Sequence, residues 1–472
     1  MLTRRKFVGY SALTSAALAH PTLAAFGQST AEKRPLRLAV LGSVYRHGSH
    51  LQTIADRFLV GYPHEGDWHM PEVQVVSLYL DQADRKTNAG PTEYERWMAG
   101  TLAGPGSVPP RMITNRAAPP KPAALKIEDP GPMSDLSEQR TQQFGFRLCR
   151  SIPEALRCDG RSLAVDAVLT VIEDDGYPRN DAGRALLPQY DFFQQCAQVF
   201  ETEGKSVPYF NHRQLSYSFS EAQEMVKTAD RLRFPLLAGA SMPITWRLPD
   251  TDVPFGAKVP EAVMVGPAHF DDTDFDALEA MQSMIERRKG GETGVRAVQL
   301  IEGDEVWDAY KAGRWSRDLL SAALSRSDTP MGLSLLDGRT QDLVASNALP
   351  QLVKDPAAYC IEYTDGTRAT LLLLNGAIRD YNIAARVEGL GIISTQFFMT
   401  PVPNEVHSAC LTAKIEQMYQ TRTAPYSIQR ALLTTGLMEA CLASKHRLNQ
   451  RVETPQLNLR YRVADLPQYT RA

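Results

Sequence analysis

Several short segments of this sequence concentrate residue types that do chemistry. The first is Gly42-Ser43-Val44-Tyr45-Arg46-His47-Gly48-Ser49-His50, which joins an apolar run to a helical pattern. Backbone N–H groups of such a glycine-bearing loop, with the helix N-terminus behind them, bind phosphate oxygens. Gly42, Ser43, His47 and Gly48 are the candidate contacts, with Arg46 or His47 adding positive charge and Ser49 or His50 capping the helix. Ser43-Val44 stands where a G-x-G-x-x-G loop has its second glycine, and Gly48 comes late. A second reading of the loop is therefore a nucleotide site that is weakened or lost. Asp81 closes the next apolar run. A carboxylate there accepts hydrogen bonds from both ribose hydroxyls and favours NAD over NADP. Asp84 competes for that role, whereas Arg85 would favour a 2′-phosphate.

Glu173-Asp174-Asp175-Gly176-Tyr177-Pro178-Arg179-Asn180 follows another strand-like run, at the edge where doubly wound sheets take ligands. Asp174, Tyr177 and Arg179 suit a hydroxyl-rich substrate, or they only cap the next helix. His212 next to Arg213 pairs an imidazole that titrates near neutrality with a guanidinium that stays charged. His212 can take a proton; Arg213 can orient a hydroxyl or stabilise an alkoxide, but cannot act as a base. Asp276 lies off its helix's apolar stripe and can face a cavity, although complementing the helix dipole explains it equally. Trp246, beside Arg247, offers a stacking platform for a pyranose or packs a domain junction. Glu286-Arg287-Arg288-Lys289 reads as a solvated helix end. The His47/His50 and His64/His69 neighbours are weak as metal pairs, none of the six cysteines forms a C-x-x-C pair, and no metal site is expected. Cys149 and Cys158 could pair; buried free thiols are the reading adopted.

These residues need elements to hold them. Leu36 to Leu41 is a short apolar run that reads as a buried strand. Leu51, Ile54, Ala55, Phe58 and Leu59 follow at helical spacing, and Val73 to Leu80 is a second strand, so the chain opens β–α–β. Residues 61–72 add a loop to this unit, and the Pro-rich stretch 88–135 reads as a long surface insertion. Alternation then resumes. Helices near 137–144 and 152–157 precede a strand Ala164 to Ile172, and a helix 189–203 precedes a strand Ser206 to Phe210. A helix 220–232 and a strand Phe234 to Ala238 complete this half. The second half has strands at Ala262 to Val265 and Val295 to Leu300, a helix 274–288 between them, and a late helix 427–444. Thr364-Asp365-Gly366-Thr367 between two apolar runs is a hairpin signal. The order fits an α+β domain on a mostly antiparallel sheet.

Composition agrees with this plan. The 472 residues are 43% hydrophobic and 22% charged with a net charge of −3, which leaves no footprint for nucleic acid and no polytopic membrane protein. Residues 1–24 carry Arg4, Arg5 and Lys6 before an uncharged Ala-rich stretch and small residues, the layout of a twin-arginine export signal. Export to the periplasm through the twin-arginine machinery is expected. The domains are then 1–24 (signal), 35–240 (nucleotide-binding) and 241–472 (substrate binding and oligomerisation).

The strand–loop–helix at 38–55, the run VDAVL at 165–169, Glu203 to Pro208 leading into Asn211-His212-Arg213-Gln214-Leu215-Ser216, and APYSIQRALLTTGLMEACLAS at 424–444 together resemble the glucose–fructose oxidoreductase / inositol dehydrogenase (Gfo/Idh/MocA-like) family. The likeness is to a divergent, exported member and spans nearly the whole mature chain. It implies a Rossmann doubly wound parallel sheet for NAD or NADP, then an α+β domain with an open, mostly antiparallel sheet that serves homo-oligomerisation. It also implies hydride transfer at a CH–OH group of a sugar or polyol. Asn211-His212-Arg213 occupies the place of the family's Glu-Lys-Pro motif, so Arg213 stands for the lysine, and Asp276 stands for a histidine that points into the cleft. The expected function is thus an exported NAD(P)-dependent oxidoreductase with His212, Arg213 and Asp276 around the reacting carbinol. The alternatives are a catalytically altered carbohydrate-binding or assembly protein on the same fold, and NAD-assisted glycoside cleavage.

Overall fold

The computed structural model of the chain describes residues 34–82, 135–173, 176–181, 183–267, 272–331, 342–400 and 406–471. The export signal at 1–24, the insertion up to residue 134, and Asp174 lie outside the described residues.

Apolar runs and helical stripes alternate through the first half and build β1 (Leu36–Gly42), α1 (His50–Val60), β2 (Tyr62–His64), β3 (Asp67–His69), β4 (Val73–Leu80), α2 (Ser137–Phe144) and β5 (Arg147–Cys149). Then come α3 (Ile152–Arg157), β6 (Ala167–Val171), α4 (Gln189–Glu203), β7 (Tyr209–His212), α5 (Phe219–Leu232) and β8 (Leu236–Gly239). Local chemistry starts these helices where expected. The Ser49 side chain accepts from Gln52 N at the head of α1, and Ser151 accepts from Glu154 N at the head of α3. The loop at 61–72 is mostly the hairpin β2–β3.

The first sheet is β5-β4-β1-β6-β7-β8, and each of its pairings is parallel. Counted within this sheet, the order is 3-2-1-4-5-6, the doubly wound arrangement. Its strands are apolar on both faces because helices cover both faces. Leu38 and Val40 point into one buried cluster, Ala39 and Leu41 into another.

The second half supplies β9 (Arg247–Leu248), β10 (Glu261–Gly266), α6 (Asp272–Ile285), β11 (Val295–Glu302), α7 (Asp304–Lys311), α8 (Arg317–Leu324), α9 (Leu349–Leu352), β12 (Ala357–Tyr363) and β13 (Arg368–Leu373). It continues with β14 (Tyr381–Val387), β15 (Gly391–Phe397), α10 (His407–Thr421), α11 (Gln429–His446) and β16 (Val452–Glu453). The eight-stranded sheet β16-β11-β12-β13-β10-β14-β15-β9 is antiparallel except for β10 with β13. It is open rather than closed into a barrel, yet both faces carry helices. Ala262 and Met264 of β10 pack with α6 and α11, while Val263 and Val265 pack with Trp307 of α7 and Leu319, Leu320 and Ala323 of α8.

Both sheets belong to one unit, Leu36–Ala472. The late helix α10 returns to the first sheet: Cys410, Leu411, Ile415, Met418 and Tyr419 complete the cluster around Leu38, Val40, Leu51 and Phe58. The Tyr419 hydroxyl donates to the Val168 carbonyl at 2.8 Å. The six cysteines are free.

One expectation fails clearly. The helix ends at Ile285, and Glu286, Arg287 and Arg288 are buried, not solvated. Arg288 pairs with Glu292 and Asp365, Arg287 with Asp252, and Glu286 accepts Arg430 and the Tyr461 hydroxyl. Adjacent opposite charges look like a wet surface in sequence; here their partners come from distant segments and satisfy them inside the fold.

Candidate functional site

Strand order reverses between β1 and β6, and the residues just beyond these two strands form the crevice of the first sheet. Gly42 ends β1. A Cβ there would stand 2.6 Å from Leu51 Cδ2 and 3.1 Å from the Val171 carbonyl oxygen, so glycine permits the close approach of α1. Ser43 is wholly buried, and its Oγ accepts from Glu173 N at 2.9 Å and donates to Glu173 O at 3.3 Å. Gly48 turns at φ +74°, its N–H donates to Gln52 Oε1 at 2.7 Å, and His47 Nδ1 lies 3.5 Å from Gln52 Nε2. The predicted loop residues are therefore together at the head of α1.

Asp81 N donates to the Gly42 carbonyl, so the ends of β4 and β1 are tied side by side. Its carboxylate accepts the Tyr177 hydroxyl at 2.9 Å and the Tyr79 hydroxyl at 3.3 Å. Two residues predicted separately, one for cofactor and one for substrate, thus share a hydrogen bond at the sheet edge. Arg179 is exposed and donates to the Gly183 carbonyl, closing a local turn.

His212 ends β7, and Arg213 follows in the left-handed region at φ +63°, with its N–H on the Gly239 carbonyl at the end of β8. This turn sends the guanidinium toward α6. Arg213 Nε meets Asp276 Oδ1 at 3.1 Å and the terminal nitrogen meets Oδ2 at 3.0 Å. The His212 ring packs 5.0 Å from that of His50, the first residue of α1. Burial, then the Arg213 charge, holds His212 well below the usual imidazole range; His50 is lowered by burial, Arg213, His212 and His407. His407 falls to about 4 by burial and Arg57. Neutral imidazoles thus meet a fixed cation–carboxylate pair.

Sequence reasoning missed two groups here. Glu279, three residues beyond Asp276, is fully buried and accepts Ala240 N at 2.7 Å. Burial pushes its carboxyl up to about 8, against the opposing pull of Arg430 and the Ala240 N–H. Tyr381, at the start of β14, has its ring against Gly266 and its hydroxyl raised by burial and then by Asp276. Beside them a cavity of about 330 Å³ is lined by Asp274, Glu302, Asp355, Tyr359, Asn375 and Lys445, among others. The Tyr359 hydroxyl donates to Asp274 at 2.7 Å. Tyr381 and Tyr359 come from strands paired far along the chain, so no local spacing marks them. Glu279 did carry a signal, as a charged residue inside an apolar helix.

Trp246 departs from its predicted role as a stacking platform. It is partly buried in the core cluster of the first sheet, and its ring meets Phe398 edge-on at 6.5 Å. Arg247 beside it lies between the Phe397 and Tyr469 rings and pairs with Asp252. The structure gives this pair the packing reading. Among the described residues, no group of three His, Cys, Asp or Glu side chains is placed to hold a metal ion.

A doubly wound parallel sheet followed by a mixed sheet, with loop, acidic strand end and proton-handling cluster on the edge between them, defines a Rossmann-type two-sheet protein. No family model matches the sequence, and no curated protein does. Among solved structures, the chain is similar in outline to GenD2 from gentamicin A biosynthesis, crystallised with NAD (12% identity, 89% of this chain and 97% of that one, TM-score 0.49). It is likewise similar to a putative myo-inositol dehydrogenase from Sinorhizobium meliloti 1021 (10% identity, 89% and 99% covered, TM-score 0.46). A third is the myo-inositol dehydrogenase from Lactobacillus casei in complex with NAD(H) and myo-inositol (9% identity, 89% and 96% covered, TM-score 0.47).

Proposed function

We propose that this chain is an exported oxidoreductase of the glucose–fructose oxidoreductase / inositol dehydrogenase type, acting on a CH–OH group of a sugar, polyol or related carbohydrate. The observation that carries the reading is the meeting of His212, Arg213 and Asp276 on the same sheet edge as Gly42, Ser43 and Asp81. The residues fit a nicotinamide dinucleotide on one side: the Asp81 carboxylate stands where ribose hydroxyls are accepted and would repel a 2′-phosphate, which favours NAD. On the other side the head of α1 fits a pyrophosphate once the Glu173 carboxylate, which points at Leu51 N, moves aside.

The nicotinamide, when bound, exchanges a hydride with the carbinol carbon. Neutral His212 accepts the hydroxyl proton. Arg213 keeps its charge throughout and stabilises the developing alkoxide. Asp276 has both oxygens on Arg213, so it orients that guanidinium instead of serving as the base. The cavity beside Asp274 and Tyr359 offers acceptors for further hydroxyls of the substrate.

Native mass and the ultraviolet spectrum of the purified protein, followed by His212→Ala against a sugar panel, test this reading. Bound or bindable NAD(H) and lost turnover in the variant are expected. No binding of either nicotinamide dinucleotide sinks it and leaves the second reading, a non-catalytic carbohydrate-binding or assembly protein, which the Glu173 carboxylate at the head of α1 favours. Export is tested separately. Replacing Arg4 and Arg5 by lysine is expected to stop cleavage of residues 1–24; cleavage that continues argues against the twin-arginine route.

A further inference from the structure

The crevice between β1 and β6 carries an anion of its own. Ser43 Oγ clamps Glu173 through its N–H and its carbonyl, at 2.9 and 3.3 Å. The clamp fixes the backbone two residues beyond β6, and from there the Glu173 side chain reaches the first turn of α1, with Oε2 3.5 Å from Leu51 N. Neighbouring donors are already taken: Gln52 N by Ser49 Oγ, Thr53 N by the Ser49 carbonyl, and Gly48 N by Gln52 Oε1. A helix N-terminus at the reversal point of a doubly wound sheet favours one anion, and pyrophosphate and carboxylate compete for the same N–H groups and the same positive end of the dipole.

We propose that Glu173, held in place by Ser43, is an internal stand-in for pyrophosphate at the head of α1, and that it sets how tightly a dinucleotide binds. This rests on the cofactor reading above. It also explains why serine follows Gly42: a glycine at position 43 would let a phosphate approach, whereas Ser43 brings a carboxylate to the place instead. A cofactor must push this carboxylate aside, so weak binding is a property of two residues and not of a decayed fold.

The test is titration of the mature protein with NADH, followed by nicotinamide fluorescence and by calorimetry. Glu173→Gln keeps volume and hydrogen bonding and removes the charge; Ser43→Gly releases the clamp. Both are expected to tighten NADH binding tenfold or more, while adenosine, which lacks phosphate, binds all three proteins equally. Inorganic pyrophosphate is expected to raise the unfolding temperature of Glu173→Gln and not that of the wild type. Equal NADH affinity in wild type and folded Glu173→Gln overturns this inference and leaves the cofactor reading standing. If the glutamine variant does not fold, Glu173→Ala decides by the same comparison. Failure of wild type and all variants to bind NADH overturns both.

Discussion

Arg213 and Asp276 grip each other through two hydrogen bonds, 3.1 and 3.0 Å long, and so fasten the end of the parallel sheet to the helix that covers the mixed sheet. Both side chains are nearly buried. Removing one partner leaves the other charged inside, a loss of about 3 kcal/mol for pairs of this kind. Arg213→Met is therefore expected to lower the denaturant midpoint strongly, and Arg213→Met with Asp276→Leu to recover much of it. A double-mutant cycle by urea unfolding checks this; additive losses would mean the pair is not coupled.

Acid should weaken the fold through its histidines. His50, His212 and His407 have depressed pKa values when folded, so below about 6.5 the unfolded chain binds more protons. Their contribution is complete above that pH and is lost as pH falls. Each adds a slope of up to about 1.4 kcal/mol per pH unit. His407→Asn is expected to flatten the stability profile between pH 6.5 and 4, measured by chemical denaturation; an unchanged slope would disprove a buried neutral His407.

Glu279 has the opposite sign. Its folded value, near 8, is above the unfolded one, so the native state holds the extra proton and stability declines as pH rises between the two. Glu279→Gln keeps an acceptor for Ala240 N and removes this dependence. The variant is expected to gain on the wild type steadily from pH 5 to pH 8. A constant difference would count against a protonated carboxyl.

Gly239 is where the Glu279 carboxyl and the β8 end come closest. A Cβ there would stand 2.4 Å from Glu279 Oε1, at a φ of +141°. Gly239→Ala is expected to cost about 1–3 kcal/mol, as overpacking does, and to shift the Arg213–Asp276 pair through the Arg213 N to Gly239 carbonyl bond. Thermal unfolding reports the first effect and a crystal structure the second.

Asp81 bears on cofactor choice in the proposed reaction. Asp81→Ala removes the acceptor that Tyr177 holds at 2.9 Å. It is expected to weaken NADH about tenfold and to narrow the gap to NADPH, since a hydrogen bond to a charged group contributes about 1.5–3 kcal/mol. Fluorescence titration with both nucleotides measures it. Unchanged preference would move the ribose contact elsewhere.

The parallel sheet was legible in the chain because each of its strands is a short run apolar on both faces, followed by a helix with one apolar stripe. Those periodicities are local, and they located β1, α1, β4, α4 and α5 within a few residues. They also placed Gly42, Asp81 and His212 at strand ends, where a doubly wound sheet binds. Local pattern did not show that α7 to α9 cover the outer face of the mixed sheet, nor that α10 returns to the first core, because those contacts join segments hundreds of residues apart. The same reason hid the charge partners. Arg288, Glu286 and Arg430 look like surface residues until distant chain surrounds them. The altered glycine loop shows the division most plainly. Sequence marks Ser43 as a departure; only the tertiary structure shows that its hydroxyl holds Glu173 against the head of α1.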